Sequence, residues 1–274
     1  MFFPMPKAFM KSSTCFTTRT VLLLLAGFSL PAFALQPLIT DDTATQGDGG
    51  NQIELSFNED RATTADNTQR TQVFPVVYTR GLSETIDVYA AIGHVRVRSN
   101  TVGGDANGTA NPVLGAKWRF YENEDSKTSF AFKPEVFLPV SRSLEDAGIG
   151  TAKTSGALTL ILTQEFSFGA IHANAGVSRF CFSDTLTNPD QTVARLSLAP
   201  VWNVSEEWRL ALDVGTRYAR SSENRVRTDF VEVGTIYSPD KDIDIALGLI
   251  RTQNNEHPRT TSNAVTAGLT WRFR

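Results

Sequence analysis

From residue 51 onward the chain keeps returning to runs in which apolar and polar residues alternate, each run bounded by Gly, Pro, Asn, Asp or Ser. Period two marks an extended strand with two unlike faces, because successive side chains point to opposite sides. The runs predict strands over residues 51–60, 70–80, 85–98, 110–121, 127–138, 153–166, 168–182, 191–203, 206–220, 225–238, 242–253 and 262–273. An even number of antiparallel strands is what a bacterial single-chain barrel requires.

The connections sort by parity. After the even-numbered runs they are tight: Gly81–Glu84, Glu122–Ser126, Phe166–Phe168, Ser205-Glu206 and Pro239–Lys241. After the odd-numbered runs they are mostly longer and polar: Ala62–Gln69, Ser99–Thr109, Pro139–Ala152, Ser183–Asp190 and Thr252–Thr261, with Ser221–Asn224 the short exception. A membrane barrel has short periplasmic turns and longer extracellular loops, whereas a soluble sandwich has no reason to sort its loops this way.

The aromatic residues agree with that division. Tyr78, Trp118, Phe120, Phe166, Phe168, Trp202, Trp208, Tyr237, Trp271 and Phe273 sit within a few residues of a tight-turn end, and all four Trp are among them. Such rings favour the headgroup boundary, so they predict one girdle; Tyr218, Phe180, Phe182 and Phe230 predict a thinner one at the opposite end. One face of the strands is apolar, as in Ile243, Ile245, Leu247 and Leu249 or Leu158, Leu160 and Leu162. The other face carries Glu54, Lys117, Arg119, Lys133, Glu135, Glu165, His172, Arg195, Arg209, Asp213, Arg217 and Asp244. That many ionisable groups would be costly in a dry core and cost little in a watered lumen. The fold expected is all-β: a transmembrane antiparallel up-and-down barrel of about 12 strands, occupying residues 51–274.

The N-terminus changes the picture of where the chain works. Lys7, Lys11 and Arg19 precede an apolar run, Val21 to Leu30, and a small-x-small site at Ala32-Phe33-Ala34. This is the pattern of a cleaved signal peptide over residues 1–34, its apolar run too short for a spanning helix. Removing those three cations lowers the formal charge from −3 to −6, which argues against a nucleic-acid partner. Cys181 is then the one remaining cysteine, read as a thiol without a chemical role. Residues 35–50 form a periplasmic segment; apolar Leu38-Ile39 and turn-forming Thr40-Asp41 suit a small plug at the barrel mouth. Asp41, Asp42 and Asp48 lack calcium-loop spacing, so no metal is expected, nor any cofactor.

The inward charges are the candidates for selectivity groups: Glu54, Lys117, Arg119, Lys133, Glu135, Glu165, His172, Arg195, Arg209, Asp213 and Arg217. Fixed charge in a lumen decides which solutes enter. Alternatively Lys117 and Lys133 pair with Glu135 and Glu54 and pack the lumen shut. Catalysis would need a histidine beside an activated nucleophile; His94, His172 and His257 come with no such signal, so no enzyme is expected. Arg96, Arg98, Arg179, Arg220, Arg225, Arg227 and Arg259 fall at the loop ends, where guanidinium groups suit the phosphates of lipopolysaccharide.

The last strand, Asn263 to Arg274, resembles the C-terminal signature of outer-membrane barrels, with Trp271 and Phe273 on its apolar face and Arg274 following. That resemblance implies the barrel-assembly machinery and outer-membrane lipid as partners. The opening Gln36-Pro37-Leu38-Ile39-Thr40-Asp41-Asp42-Thr43, with Gly47 and Gly49, is distinctive. Together with Tyr78-Thr79-Arg80-Gly81-Leu82 and Gly115-Ala116-Lys117-Trp118-Arg119-Phe120, it resembles the family named for the meta-pathway of phenol degradation. Asn111-Pro112 stand where that family would lead one to expect Gly-Asp. The resemblance implies an outer-membrane channel of a Gram-negative bacterium for passive or facilitated uptake of small solutes, hydrophobic or aromatic compounds among them. A membrane-embedded lipid hydrolase and a closed structural barrel are the alternatives.

Overall fold

The computed structural model describes residues 36–101, 104–186, 188–222 and 224–274; the expected signal peptide, residues 1–34, lies outside them. The strands are β1 (Asn51–Thr64), β2 (Asn67–Gly81), β3 (Ile86–Ser99), β4 (Ala106–Thr109), β5 (Val113–Asn123), β6 (Thr128–Phe137) and β7 (Ser155–Phe166). They continue as β8 (Gly169–Phe180), β9 (Gln191–Asn203), β10 (Trp208–Arg220), β11 (Arg225–Asp240), β12 (Ile243–Asn254) and β13 (Thr260–Phe273). Apart from β4 and β5, which do not pair with each other, successive strands pair antiparallel, and β13 returns to β1 in the register Asn51 opposite Phe273. Because β4 and β5 both pair with β3, they are two pieces of one stave, and the closed barrel has twelve. Closure leaves no open sheet edge, which a lipid environment demands.

The apolar face looks out. Leu158, Leu160, Leu210, Ile245, Leu247 and Leu249 are all exposed on the barrel wall, as a lipid-facing band requires. At the short-turn end Trp208 packs on Tyr237, Trp271 on Phe273 and Phe166 on Phe168, with centroid separations of 4.7, 4.6 and 5.1 Å. The opposite girdle is thinner than expected. Tyr218 faces outward, but Phe180 turns inward against Phe137, and the Phe230 ring lies over Gly215 inside the barrel.

Two boundaries differ from the pattern in the sequence. Ala62–Gln69 reads as a polar loop, yet β1 and β2 run on through the pairs Ala62–Gln69, Thr63–Thr68 and Thr64–Asn67. Only Ala65-Asp66 turns, with Ala65 at φ 50. A hairpin projecting beyond the lipid band has water on its outer face, so the alternation that signals a strand fades there. In the fourth stave, Ala110–Pro112 interrupt the ladder between β4 and β5. Pro112 has no N–H to give, and Asn111 turns its side chain to the loop over residues 138–154.

That loop folds over the mouth opposite the chain termini. It carries α1 (Arg142–Asp146), capped at its start by Ser141 Oγ, which accepts from Leu144 N. Asn111 pins it by donating to Leu138 O and Thr151 O (2.7 and 2.8 Å) and accepting from Thr151 N. Ile149 and Leu144 pack on Val73, Val95, Val97, Ala106 and Ala110 of the inner wall.

Candidate functional site

Residues 36–50 run inside the barrel, and the inward charges of the wall gather around them. Asp41 is the centre. Its Oδ1 lies 2.9 Å from Lys117 Nζ on β5 and its Oδ2 lies 2.6 Å from Lys133 Nζ on β6. Period two puts both lysines on the inner face, and the two strands carry them to one carboxylate from neighbouring staves. Lys117 also donates to the carbonyls of Asp42 and Ala44, at 3.0 and 3.3 Å. Lys133 is 1% exposed and stands 5.2 Å from the centroid of the Tyr89 ring. Tyr89 in turn donates to Glu135 Oε1 at 2.9 Å. Burial pushes the Asp41 carboxyl up, but the two ammonium groups outweigh it and hold it below its ordinary value of 3.8.

The remaining contacts tie successive residues of the segment to different staves. Asp213 on β10 accepts from Ile39 N and Thr40 N at 2.9 and 2.7 Å, and Thr40 Oγ1 lies 2.7 Å from both Asp213 Oδ1 and Ser197 Oγ. Leu38 fills a small apolar recess of Ala199, Val201 and Ala211. Thr43 N donates to Thr163 Oγ1, whose other partner is His172 Nδ1 at 2.9 Å. Gln46 N donates to the Asp87 carboxylate at 3.1 Å. Gly81 packs so close to Gly47 that a Cβ there would stand 1.8 Å from Gly47 O, which only glycine permits. Inward-facing Gly234 and Gly248 leave the room taken by Pro37.

The eleven candidate residues thus divide into groups. Lys117, Lys133, Asp213 and His172 converge on residues 36–50, with Glu135 joined through Tyr89. Glu54 is buried on the same wall and feels Asp41, Lys133 and Lys117 electrostatically. Lys117 and Lys133 take their carboxylate from Asp41, not from Glu54 or Glu135 as pairing within the wall would have it. Arg119, Arg209 and Glu165 lie at the short-turn rim. Arg119 donates to Glu84 O, Arg209 shares Asp244 with Arg272, and Glu165 is exposed. Arg195 and Arg217 face each other on adjacent strands, on the loop side of Asp213, and are partly open to solvent inside the barrel.

Sequence reasoning missed Asp87, Glu232 and Tyr89 as inner-wall residues, although each keeps the inward phase of its strand. His94 points outward and pairs with Asn107, and His172 is bonded to a threonine; among the described residues neither forms a serine–histidine pair.

The chain is similar to the COG4313 outer membrane channel from Pseudomonas putida F1, at 12% identity, with 85% of this chain and 98% of that one covered and a TM-score of 0.70. It also resembles the NanC porin, at 8% identity, 79% and 98% coverage and a TM-score of 0.53. The beta domain of the Bordetella autotransporter BrkA is similar at 15% identity, with 82% and 100% covered and a TM-score of 0.53. At such identities these likenesses show the fold, that of an outer-membrane β-barrel. None of the curated proteins searched matches the sequence. Residues 36–273 match a family model across nearly the whole described chain, and the protein belongs to the family described as "Putative MetA-pathway of phenol degradation".

Proposed function

We propose that the protein is a channel of the Gram-negative outer membrane through which small solutes pass, with residues 36–50 acting as a plug in the lumen. The observation that carries this reading is the polar, ionic seating of that segment. The wall holds a separate segment of chain by carboxylates, ammonium groups and hydroxyls, contacts that water can replace when the segment leaves. On the loop side of the segment, Arg195 and Arg217 are reached by solvent. The solute class follows from the lining. Val77, Tyr89, Ala91, Val113, Phe137, Ala157 and Phe180 form an apolar inner wall, and the arginine pair supplies a polar handle and a planar surface for aromatic rings. Small hydrophobic and aromatic compounds suit that combination, in keeping with the family description. Around the barrel, outer-membrane lipid and lipopolysaccharide would meet the apolar belt and the basic loop ends. The barrel-assembly machinery would insert it.

The test is single-channel conductance of the refolded protein in a planar bilayer. Openings whose ion preference shifts toward cations on Arg195→Glu are expected. A heat-modifiable barrel that conducts neither as the parent nor as Asp41→Asn would sink the channel reading and leave a closed structural barrel.

A further inference from the structure

We infer that a row of arginines on the outer wall, Arg61, Arg70 and Arg98, is a binding site for the phosphate groups of an outer-leaflet glycolipid of the lipopolysaccharide type. The inference rests on the outer-membrane reading of the barrel and is independent of conduction.

The row comes from strand register. Arg61 on β1 stands opposite Arg70 on β2, and Arg70 opposite Arg98 on β3. All three are exposed on the lipid-facing side. On the other flank of Arg61 the register continues through Asn263 to Arg251, which donates to the Asn263 amide oxygen at 3.0 Å. Neighbouring strands lie about 4.8 Å apart, so the three guanidinium stems are spaced to surround a phosphate rather than to avoid one another. Like charges directly opposite destabilise a sheet, so such a row calls for anions. Arg70 has one in Glu59, which also accepts from Gln72. Arg61, Arg96 and Arg98 have no carboxylate among the described residues.

Other basic residues near the loops are arranged differently. Arg179 is paired with Asp190 at 3.0 Å, Arg227 with Asp229 at 3.0 Å and Arg142 with Asp184 at 3.8 Å. Arg220 and Arg225 also face each other, but across two staves at the strand tips, whereas Arg61, Arg70 and Arg98 extend the charge over three contiguous staves.

Its height also fits. The aromatic girdle at the short-turn end includes the register row Tyr78, Ile53 and Trp271. From Ile53 to Arg61 the strand climbs about 20 Å at the usual rise and tilt, which reaches the upper edge of a band about 25 Å tall. Below the arginines the wall changes in steps. Glu59, Gln72 and Arg96 form the next register row. Then come Phe57 and Phe74 with centroids 5.0 Å apart, and then exposed Leu55, Val76 and Ile92. A ligand with phosphates at one end and acyl chains at the other matches that gradient, the phosphates on planar guanidinium forks and the chains on the phenyl rings.

The experiment is native mass spectrometry of the full barrel in a zwitterionic detergent, titrated with bis-phosphorylated lipid A. The expected result is a retained lipid whose affinity falls about tenfold in Arg61→Gln/Arg70→Gln/Arg98→Gln, as loss of charge-assisted phosphate contacts predicts. Monophosphorylated lipid A should bind more weakly to the parent and lose less in the variant. Arg220→Gln/Arg225→Gln, a pair at the strand tips, is the control and should leave binding within about twofold. Equal losses in both variants or unchanged affinity in the triple variant would each overturn the site. Should the triple variant fail to fold, Arg98→Gln alone must still weaken binding about threefold. A barrel that binds the lipid but never conducts would remove the channel reading and leave this one standing.

Discussion

Two pieces of chain that are not staves enter the barrel, one from each end, and they are held by opposite means. Residues 36–50 are fastened by charge and hydrogen bonds: Asp41 between Lys117 and Lys133, Thr40 on Asp213, Thr43 on Thr163 and Gln46 on Asp87. Their apolar contribution is small, chiefly Leu38 in its recess. The loop over residues 138–154 adds apolar burial, Ile149 and Leu144 against Val73, Val95 and Val97, to the neutral Asn111 anchor and a carboxylate latch at Glu145. Apolar contacts are non-directional and keep most of their value when the pieces slide, whereas a buried ion pair fails as a unit when one partner is lost. The proposed plug therefore predicts a change of state at the end held by ions and a lasting constriction at the end held by apolar packing.

The largest effect should come from Asp41→Asn. It removes the carboxylate that the buried Lys133 and Lys117 share, leaving Lys117 the more distant Asp42 at 3.6 Å. Breaking a buried pair in this way costs about 3–5 kcal/mol. We expect the N-terminal segment to leave the lumen, seen as new protease cleavage within residues 36–50 and a larger mean conductance, while the barrel stays heat-modifiable. Unchanged cleavage would mean that the backbone hydrogen bonds to Asp213 and Asp87 hold the segment without the ion pair.

How much of this was readable in the chain depends on the kind of signal. Staves whose two faces meet lipid and water keep a strict alternation, so residues 191–203 were placed to the residue and the inward phase of Lys117, Lys133 and Asp213 was clear. Alternation says nothing about what fills the lumen. That Lys117 and Lys133, on neighbouring staves, would share Asp41 depends on where a non-repeating segment lies, and only the cluster Asp41-Asp42 hinted that it carried charge. The same blindness explains Phe180 and Phe230. An aromatic near a strand end reads as girdle, yet the phase of Glu232 beside Phe230 already pointed inward. Asn111-Pro112 stands out in the sequence, but its use as the loop's anchor depends on residues 138–154 passing beside it.

A second substitution sharpens the contrast from the other end. Ile149→Ala removes buried methyl groups from the cluster formed with Val73, Val95 and Val97. Large-to-small changes of this kind cost about 2–5 kcal/mol, toward the lower end where neighbours can relax. The loop should become more mobile, and solutes larger than those admitted by the parent should pass, with no change in cleavage at residues 36–50. If the N-terminal segment were released as well, the two pieces would be one cooperative unit and the division drawn above would fail.

The smallest effect belongs to the carboxylate latch. Glu145 accepts from Ala152 N at 2.6 Å, from Ser183 N at 3.0 Å and from the Ser183 hydroxyl, so it ties the loop to the neighbouring connection between β8 and β9. Burial pushes its pKa up, but these donors outweigh burial and hold it below the ordinary 4.5. A depressed carboxylate contributes its stabilisation above its unfolded value and loses it as the pH falls through the folded one. The protection factors of the Ser183 and Ala152 amides, with the intrinsic base-catalysed rate divided out, should therefore be high and flat above pH 4.5, then fall in more acidic solution. Glu145→Gln should remove that acid step and loosen the latch by about 1.5–3 kcal/mol, the usual worth of hydrogen bonds to a charged group. It should do so without freeing Ile149, because the apolar contacts do not titrate. Protection that falls with acid as much in the Gln variant as in the parent would place the titrating group elsewhere. Asp41 would then be the first candidate, since its carboxyl is held below 3.8 by the two lysines and loses its hold in the same direction.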